Sequence, residues 1–198
     1  MSPIPRPTPR ARRRVLPAGA AILVAAFALL PGWASAQASI LVGGSAAVPL
    51  AGFGDVADVG FRVEAGGTAP LGRGGALARA VAFYGRNAHR IAGDRSELYG
   101  ATVLAGYELD LGSDVRLTPW IGIGGAVHAR KSEAFPGLEA SKRGLTVTGG
   151  GTVSKGVGRV RVLASVFYLR GLGDLGGDAF PTQLVTLGGG LEIPLGID

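Results

Sequence analysis

Eight stretches of the chain alternate, residue by residue, between apolar side chains and small, polar or charged ones. Between residues 115 and 130, for example, Leu117 and Ile121 fall on one face, whereas Arg116 and Gly122 fall on the other. A period of two is typical of a β-strand with two different surroundings. No stretch after residue 38 shows the 3.6-residue period of a helix. The predicted strands are 39–49, 58–70, 76–88, 96–111, 115–130, 144–154, 159–170 and 182–195.

The connections between these strands alternate in length. Short glycine-containing turns, typical of hairpins, join the strands at 71–75, 112–114 and 155–158. Longer polar loops occupy 50–57, 89–95, 131–143 and 171–181. An even number of strands with one apolar face and alternating short and long connections is typical of a transmembrane β-barrel. A sheet can cross lipid only if it closes, because every backbone polar group must be paired. We therefore predict a closed, antiparallel, eight-stranded up-and-down barrel.

The N-terminus carries the pattern of a secretory signal peptide. Five arginines precede an apolar run from Val15 to Leu30, and small residues follow at Ala34-Ser35-Ala36. The run is shorter than the roughly 20 residues that a membrane-spanning helix needs. We predict a leader over 1–36, cut after Ala36 or Ala38, Sec-dependent export, and one barrel domain over 37–198.

The charge of the chain is mostly that of this leader. Five of the 20 Lys and Arg residues and none of the 14 acidic residues lie within it, so 15 basic against 14 acidic residues remain. No basic surface remains for a nucleic acid, so nucleic-acid binding is excluded as an interpretation. The chain has no cysteine, which excludes disulfides and thiolate chemistry.

The pattern over residues 39–198 resembles the small eight-stranded outer-membrane barrels of Gram-negative bacteria, the OmpA/OmpX-like group. The resemblance implies a monomer in the outer membrane, in contact with lipid and inserted by the barrel-assembly machinery. It implies termini and short turns in the periplasm, with the long loops outside. Many members end in an aromatic residue, whereas this chain ends in Asp198, and Pro194 falls within the last strand.

Charged side chains fall on the inner face of the predicted barrel. The predicted lumen network is Arg62, Glu64, Glu108, Asp110, Arg116, His128, Arg130, Arg161 and Glu192. Register can place Arg161 opposite Glu192, and the hairpin can place Glu108 or Asp110 beside Arg116. Charges in a narrow lumen are costly unless they are paired. The main interpretation is therefore a salt-bridge network that fills the lumen, and the alternative is a gated ion path.

Aromatic side chains fall on the outer face near the strand ends. The predicted interfacial girdle is Phe61, Tyr84, Tyr99, Tyr107 and Tyr168, with Tyr107 alone near the periplasmic end. The facing of strand 76–88 stays open. With Tyr84 outside, Arg79 lies inside among Leu77, Val81 and Phe83, whereas hydrophobicity alone favours the reverse.

No catalytic, cofactor or metal site is predicted. His128 with Ser132 and Glu133 could suggest a lipid-hydrolysing triad, but neighbouring loop residues do not supply triad geometry. The two histidines, His89 and His128, have no acidic residues at ligand spacing. Residues 171–176 match G-x-G-x-x-G, but a loop follows instead of the helix that a dinucleotide site needs.

The sequence predicts a non-enzymatic outer-membrane barrel with a structural or surface-interaction role and a lumen filled by side chains. One alternative is a narrow, porin-like pore for small solutes, and another is an enzyme of the outer leaflet. A soluble periplasmic barrel of the lipocalin type would also have eight strands, but its apolar face would point inward.

Overall fold

The computed structural model describes residues 38–91, 93–133, 139–176 and 182–196. In this part of the chain eight long antiparallel strands form the barrel. They are β1 (Ser39–Pro49), β2 (Gly60–Pro70), β3 (Ala76–Ala88), β4 (Asp94–Tyr107), β5 (Val115–Ser132), β6 (Ala140–Val157), β7 (Val160–Gly171) and β8 (Gln183–Pro194). A two-residue strand, Leu109–Asp110, continues β4 beyond Glu108 and pairs with β5.

The sheet closes on itself. Each strand is hydrogen-bonded to its neighbours in sequence, and β1 also pairs with β8 from Ser39↔Pro194 to Pro49↔Leu184. The predicted closed up-and-down barrel is therefore confirmed. Pro194 is the last residue of β8, at the rim, where its missing N–H interrupts little of the ladder. The predicted leader, residues 1–36, lies outside the described residues.

The two ends of the barrel differ. We call the turn end the one that holds Ser39, Pro194 and the short connections 71–75, 111–114 and 158–159. The loop end is the opposite one, where the helix α1 (Ala51–Val56) and a 3-10 turn (Gly173–Leu175) lie. Sequence patterning did not predict α1, which has only six residues. None of the helices in the described ranges is long and apolar enough to span a bilayer.

Strands β5 and β6 are longer than the others. Each has 18 residues, against 11 to 14 in the other six. The predicted strand 144–154 is too short at both ends, because β6 pairs with β5 out to Arg130↔Ala140. Residues 140–145 of β6 therefore lie beyond its last ladder pair with β7, Thr146↔Gly171, whereas β4 accompanies β5 out to Asp94↔Ser132.

The outer surface of the barrel is an apolar belt. Large exposed side chains cover it, including Val42, Val63, Ile121 and Leu187. In β3, Tyr84 is exposed, whereas Arg79, Val81 and Phe83 are buried. The sequence left the facing of this strand open, and in the structure its outward residues are Ala76, Ala78, Ala80, Ala82 and Tyr84. An outward apolar face and an inward charged face are the arrangement expected for a membrane-spanning barrel and the reverse of a lipocalin.

Candidate functional site: the barrel lumen and its two ends

The loop end of the lumen is closed by apolar side chains. Phe53 of α1 and Leu175 of the 3-10 turn are completely buried between the strands. The full cluster is Phe53, Ala57, Phe83, Leu98, Ala126, Leu169, Leu175 and Leu184. We call this set the loop-end plug. Both loops fold inward over the mouth because their apolar side chains find no other buried surface there.

A hydroxyl–histidine cluster lies against the plug. His89 Nε2 and His128 Nε2 lie 2.7 and 2.9 Å from the same Ser96 Oγ, and His128 Nδ1 lies 2.8 Å from Thr182 Oγ1. The His128 ring also packs edge-on against Phe53, with 5.2 Å between ring centres. The cluster therefore connects β4 and β5 with the residue that follows β3 and the residue that precedes β8, beneath the plug.

This geometry differs from the triad considered from the sequence. Glu133 is paired with Arg95 at 2.5 Å on the outer side of the barrel, and Ser132 lies opposite Asp94 in the ladder. The hydroxyls that reach His128 are those of Ser96 and Thr182, which are 2% and 0% exposed and out of reach of a substrate. His89, read from the sequence as a loop residue, is a buried partner of the same serine, and nothing in the sequence pattern signalled this.

The middle of the lumen holds a buried ion pair. Arg62 Nη2 lies 3.1 Å from Glu64 Oε2, and the guanidinium lies 4.2 Å from the centre of the Phe83 ring. The void beside the pair has a volume of about 10 Å³, enough for about one water molecule. Among the described side chains, the void at this level therefore holds about one water molecule and not a column of water.

The charges predicted near the periplasmic side lie at the turn end but pair differently from the expectation. Arg116 pairs with Glu108 at 2.5 Å, as the hairpin allows. Arg161 lies opposite Glu192 in the ladder, yet its ion pair is with Asp114 at 3.0 Å, and Glu192 accepts a hydrogen bond from Ser39.

Two other predicted network residues lie apart from these pairs. Asp110 is exposed at the rim, where its carboxylate accepts a 2.8 Å hydrogen bond from Gly112 N. It is therefore a turn residue and not part of a lumen network. Arg130 lies at the loop end, opposite Ser96 and Ala140 in the neighbouring strands.

The predicted girdle residues all lie on the outer face, and they bound the belt. Tyr84 and Tyr99 are directly opposite in the ladder, and Phe61 lies 6.2 Å from Tyr84 between ring centres. Tyr168 donates to Gln183, and Tyr107 lies alone at the turn end. Along β4, the eight steps from Tyr107 to Tyr99 correspond to roughly 20 Å of membrane thickness for a tilted strand, close to the height of known belts.

Beyond the loop-end aromatics, the outer face becomes basic. We call the set Arg86, Arg95, Lys131, Arg143 and Arg170, all at outward positions near the strand ends, the basic collar. In the described strands, the acidic residue that faces outward at the level of the collar is Glu97. It lies 2.7 Å from Lys131 and 3.3 Å from Arg95. Going from the collar toward the turn end, the first charged residue at an outward position of the described strands is Lys155.

His89 makes the closure of the loop end sensitive to pH. Burial, and secondly the charge of Arg130, lower the pKa of His89 below 6.5, against the opposing effects of Asp94 and Asp58. As the pH falls through 6.5, the unfolded chain binds more protons than the folded one, so stability is lost toward acid. We expect the urea midpoint of unfolding to be lower at about pH 5 than at about pH 7. The measurement is the fraction of protein that migrates as the folded band on unboiled gels. His89→Gln should reduce this difference, whereas Arg73→Gln at the turn end should not; an equal pH effect in His89→Gln would contradict the assignment.

No protein-family model matches the chain, and no curated protein sequence matches it. Solved structures do match its fold. Neisserial surface protein A superposes with a TM-score of 0.60 at 15% identity, over 81% of this chain and 98% of that one. Ail of Yersinia pestis and the N-terminal β-barrel domain of Pseudomonas aeruginosa OprF each give a TM-score of 0.44 at 12% identity. These two matches cover 79% and 80% of this chain, and 95% and 97% of the other.

Proposed function

We propose that this chain, which has the fold of the small eight-stranded outer-membrane β-barrels, is an outer-membrane protein that acts through its outer surface and not as a pore. The observation that carries the proposal is the closure of the lumen. The loop-end plug seals the mouth, and the void below it, beside Arg62, is about 10 Å³. A solute pore needs a continuous aqueous path, and a plugged mouth with a void of this size below it favours a closed lumen.

The surface features at the loop end support an interaction role. The start of β6 extends beyond β7, and the basic collar lies just above the aromatic residues. We propose the orientation that the family resemblance implies, with the termini and the turn end in the periplasm, so that the collar faces the outer leaflet. There its guanidinium and ammonium groups would pair with the phosphates of anionic lipid headgroups, which bind Arg and Lys strongly. Outer-membrane lipid is therefore the proposed first partner.

The first test is heat-modifiability of protein extracted from membranes. We expect the unboiled protein to migrate differently from the boiled protein on SDS gels, because a closed barrel keeps its hydrogen bonds in detergent. Trypsin added to intact cells should cut at exposed loop-end sites such as Arg90 and Lys142, and not at Arg73 of the turn end. Recovery in the soluble periplasmic fraction, without a mobility shift, would overturn the proposal in favour of a soluble barrel.

The second test separates the closed barrel from the pore. Purified protein in planar bilayers should give no steady conductance, whereas Phe53→Ala combined with Leu175→Ala should give frequent openings because it empties the plug. The matched control is Leu172→Ala, which removes an exposed leucine from the same loop. Steady conductance of the unmodified protein would favour the pore.

A further inference from the structure

The turn end of the lumen contains a cavity that the closed-barrel function does not use. Its volume is about 620 Å³, within the range of small-molecule pockets. Its walls are the inner faces of the strands and the 71–75 turn. Arg79 lines both this cavity and the small void above it, so its side chain lies between the two.

Arg79 is a buried cation that lacks a carboxylate partner. It is 5% exposed, its Nε donates to Thr68 Oγ1 at 3.1 Å, and its guanidinium lies 4.2 Å from the centre of the Trp120 ring. Among the residues that the structure describes, no acidic side chain lies within salt-bridge distance of it. Arg62, by contrast, has Glu64 as its partner. Because buried charges are normally paired, an anion is the expected partner of Arg79.

Two neutral polar atoms of residues on the same cavity wall also have no partner. Trp120 Nε1 and Thr152 Oγ1 are buried and have no hydrogen-bond partner within the described ranges. Both residues line the cavity. An indole N–H can only donate, so its partner must be an acceptor. Both atoms have almost no accessible surface, so the group on this wall that an oxyanion in the cavity would contact is the guanidinium of Arg79.

The acidic side chains of the cavity wall are already engaged. Glu108 is paired with Arg116, and Glu192 accepts from Ser39. The charges of Glu192 and Glu64 act on Arg79 from beyond salt-bridge distance, so its guanidinium has no carboxylate in direct contact. Leu77 and Leu163 also line the cavity and add an apolar part to its wall.

We propose that the turn-end cavity binds a small organic anion, whose carboxylate or phosphate is held by Arg79 and whose apolar part lies against Leu77 and Leu163. The sheet separates the cavity from the surrounding lipid, so the ligand is a water-soluble solute and not a lipid headgroup. Its entry from the periplasm rests on the orientation proposed above. The binding itself does not depend on that orientation.

Trp120 supplies the signal for the test. The chain has two tryptophans, and Trp33 lies in the predicted leader, so in a Trp33→Phe background all tryptophan fluorescence comes from Trp120. The barrel in neutral detergent is titrated with benzoate or phenyl phosphate at constant ionic strength. Benzamide, a neutral analogue of benzoate, is the control ligand. We expect a saturable change with the anions and none with benzamide.

Variants of β3 identify the cation that is responsible. Arg79→Gln is expected to weaken anion binding about tenfold or more, because it removes the charge-assisted hydrogen bonds. Arg86→Gln removes the same charge from the outer face of the same strand and should bind as before. Arg79→Lys keeps the charge and should retain part of the affinity. This variant tests the site if Arg79→Gln does not fold.

The results that would overturn the site are distinct from those that would overturn the barrel. A heat-modifiable barrel that gives no saturable response to either anion contradicts the site. An equal response to benzamide, or unchanged affinity in Arg79→Gln, contradicts it as well. Loss of the mobility shift on unboiled gels would contradict the proposed barrel and not the anion site. A response seen only when anionic lipid is added would assign the cavity to a headgroup and overturn the solute proposal.

Discussion

Replacing Gly124 by valine is expected to abolish the folded, heat-modifiable form of the protein. A Cβ at this inward position would collide with the Ala101 carbonyl oxygen and lie 2.7 Å from Thr102 Oγ1 and 2.9 Å from Thr102 Cα. These are mostly backbone atoms of the adjacent strand, which cannot move without breaking the ladder. Overpacking that forces backbone shifts typically costs about 1–3 kcal/mol, and occasionally more.

Gly125 is the matched control, because it is the next residue of the same strand and faces outward. The nearest atom to a Cβ there is Gly144 O, at 4.0 Å. We expect Gly125→Val to fold, with its urea midpoint unchanged or raised, since valine suits a lipid-facing strand. The measurement is the fraction of the folded band on unboiled gels across a urea series. Equal folding of Gly124→Val and Gly125→Val would contradict the packing argument.

Replacing Glu64 by glutamine is expected to destabilise the barrel strongly. The substitution leaves the guanidinium of Arg62, which is 5% exposed, with no compensating charge at its 3.1 Å partner. Removing one member of a buried pair costs roughly 3 kcal/mol. The urea midpoint of the folded band should fall accordingly.

Two variants separate burial from charge loss as the cause. Glu133→Gln breaks the pair with Arg95, in which Glu133 is 67% exposed, and should cost less than about 1 kcal/mol. The double variant Arg62→Met with Glu64→Leu removes both charges and should recover much of the lost stability. If Glu64→Gln behaves like Glu133→Gln, the pair is screened by water and the closed middle of the lumen is in doubt.

Strand positions were predicted well from the sequence because alternation depends on local residues alone. The strands 39–49 and 76–88 match β1 and β3 at both ends. The misjudged strand, 144–154, is extended to Ala140 and Val157 by pairing with β5, and its polar ends gave no alternation. The facing of β3 could not be decided locally, because alanines and larger apolar residues occupy opposite faces. The contacts of Arg79 determine the facing of β3. Inside the lumen its guanidinium contacts Thr68 and Trp120, whereas the lipid core contains no partner for it.

The lumen contacts were predicted only in part. Glu108 and Arg116 are close in sequence across a short turn, and they pair as the hairpin suggested. Arg161 does face Glu192 in the ladder, but it turns to Asp114, a neighbour that closure of the barrel supplies. His89 and His128 meet at Ser96 for the same reason, because their contact depends on how two loops fold over the mouth.

By itself, the sequence determined the all-β class, the connection pattern, the number of strands and the face that each strand turns to lipid, except in β3. These follow from a two-residue period and from the cost of unpaired backbone in lipid. Only the tertiary structure decided the plug, the partners of the lumen charges and the cavity beside Arg79 and Trp120. Those features depend on side chains from distant strands meeting inside a closed sheet, and the strand pattern carries no information about which of them meet.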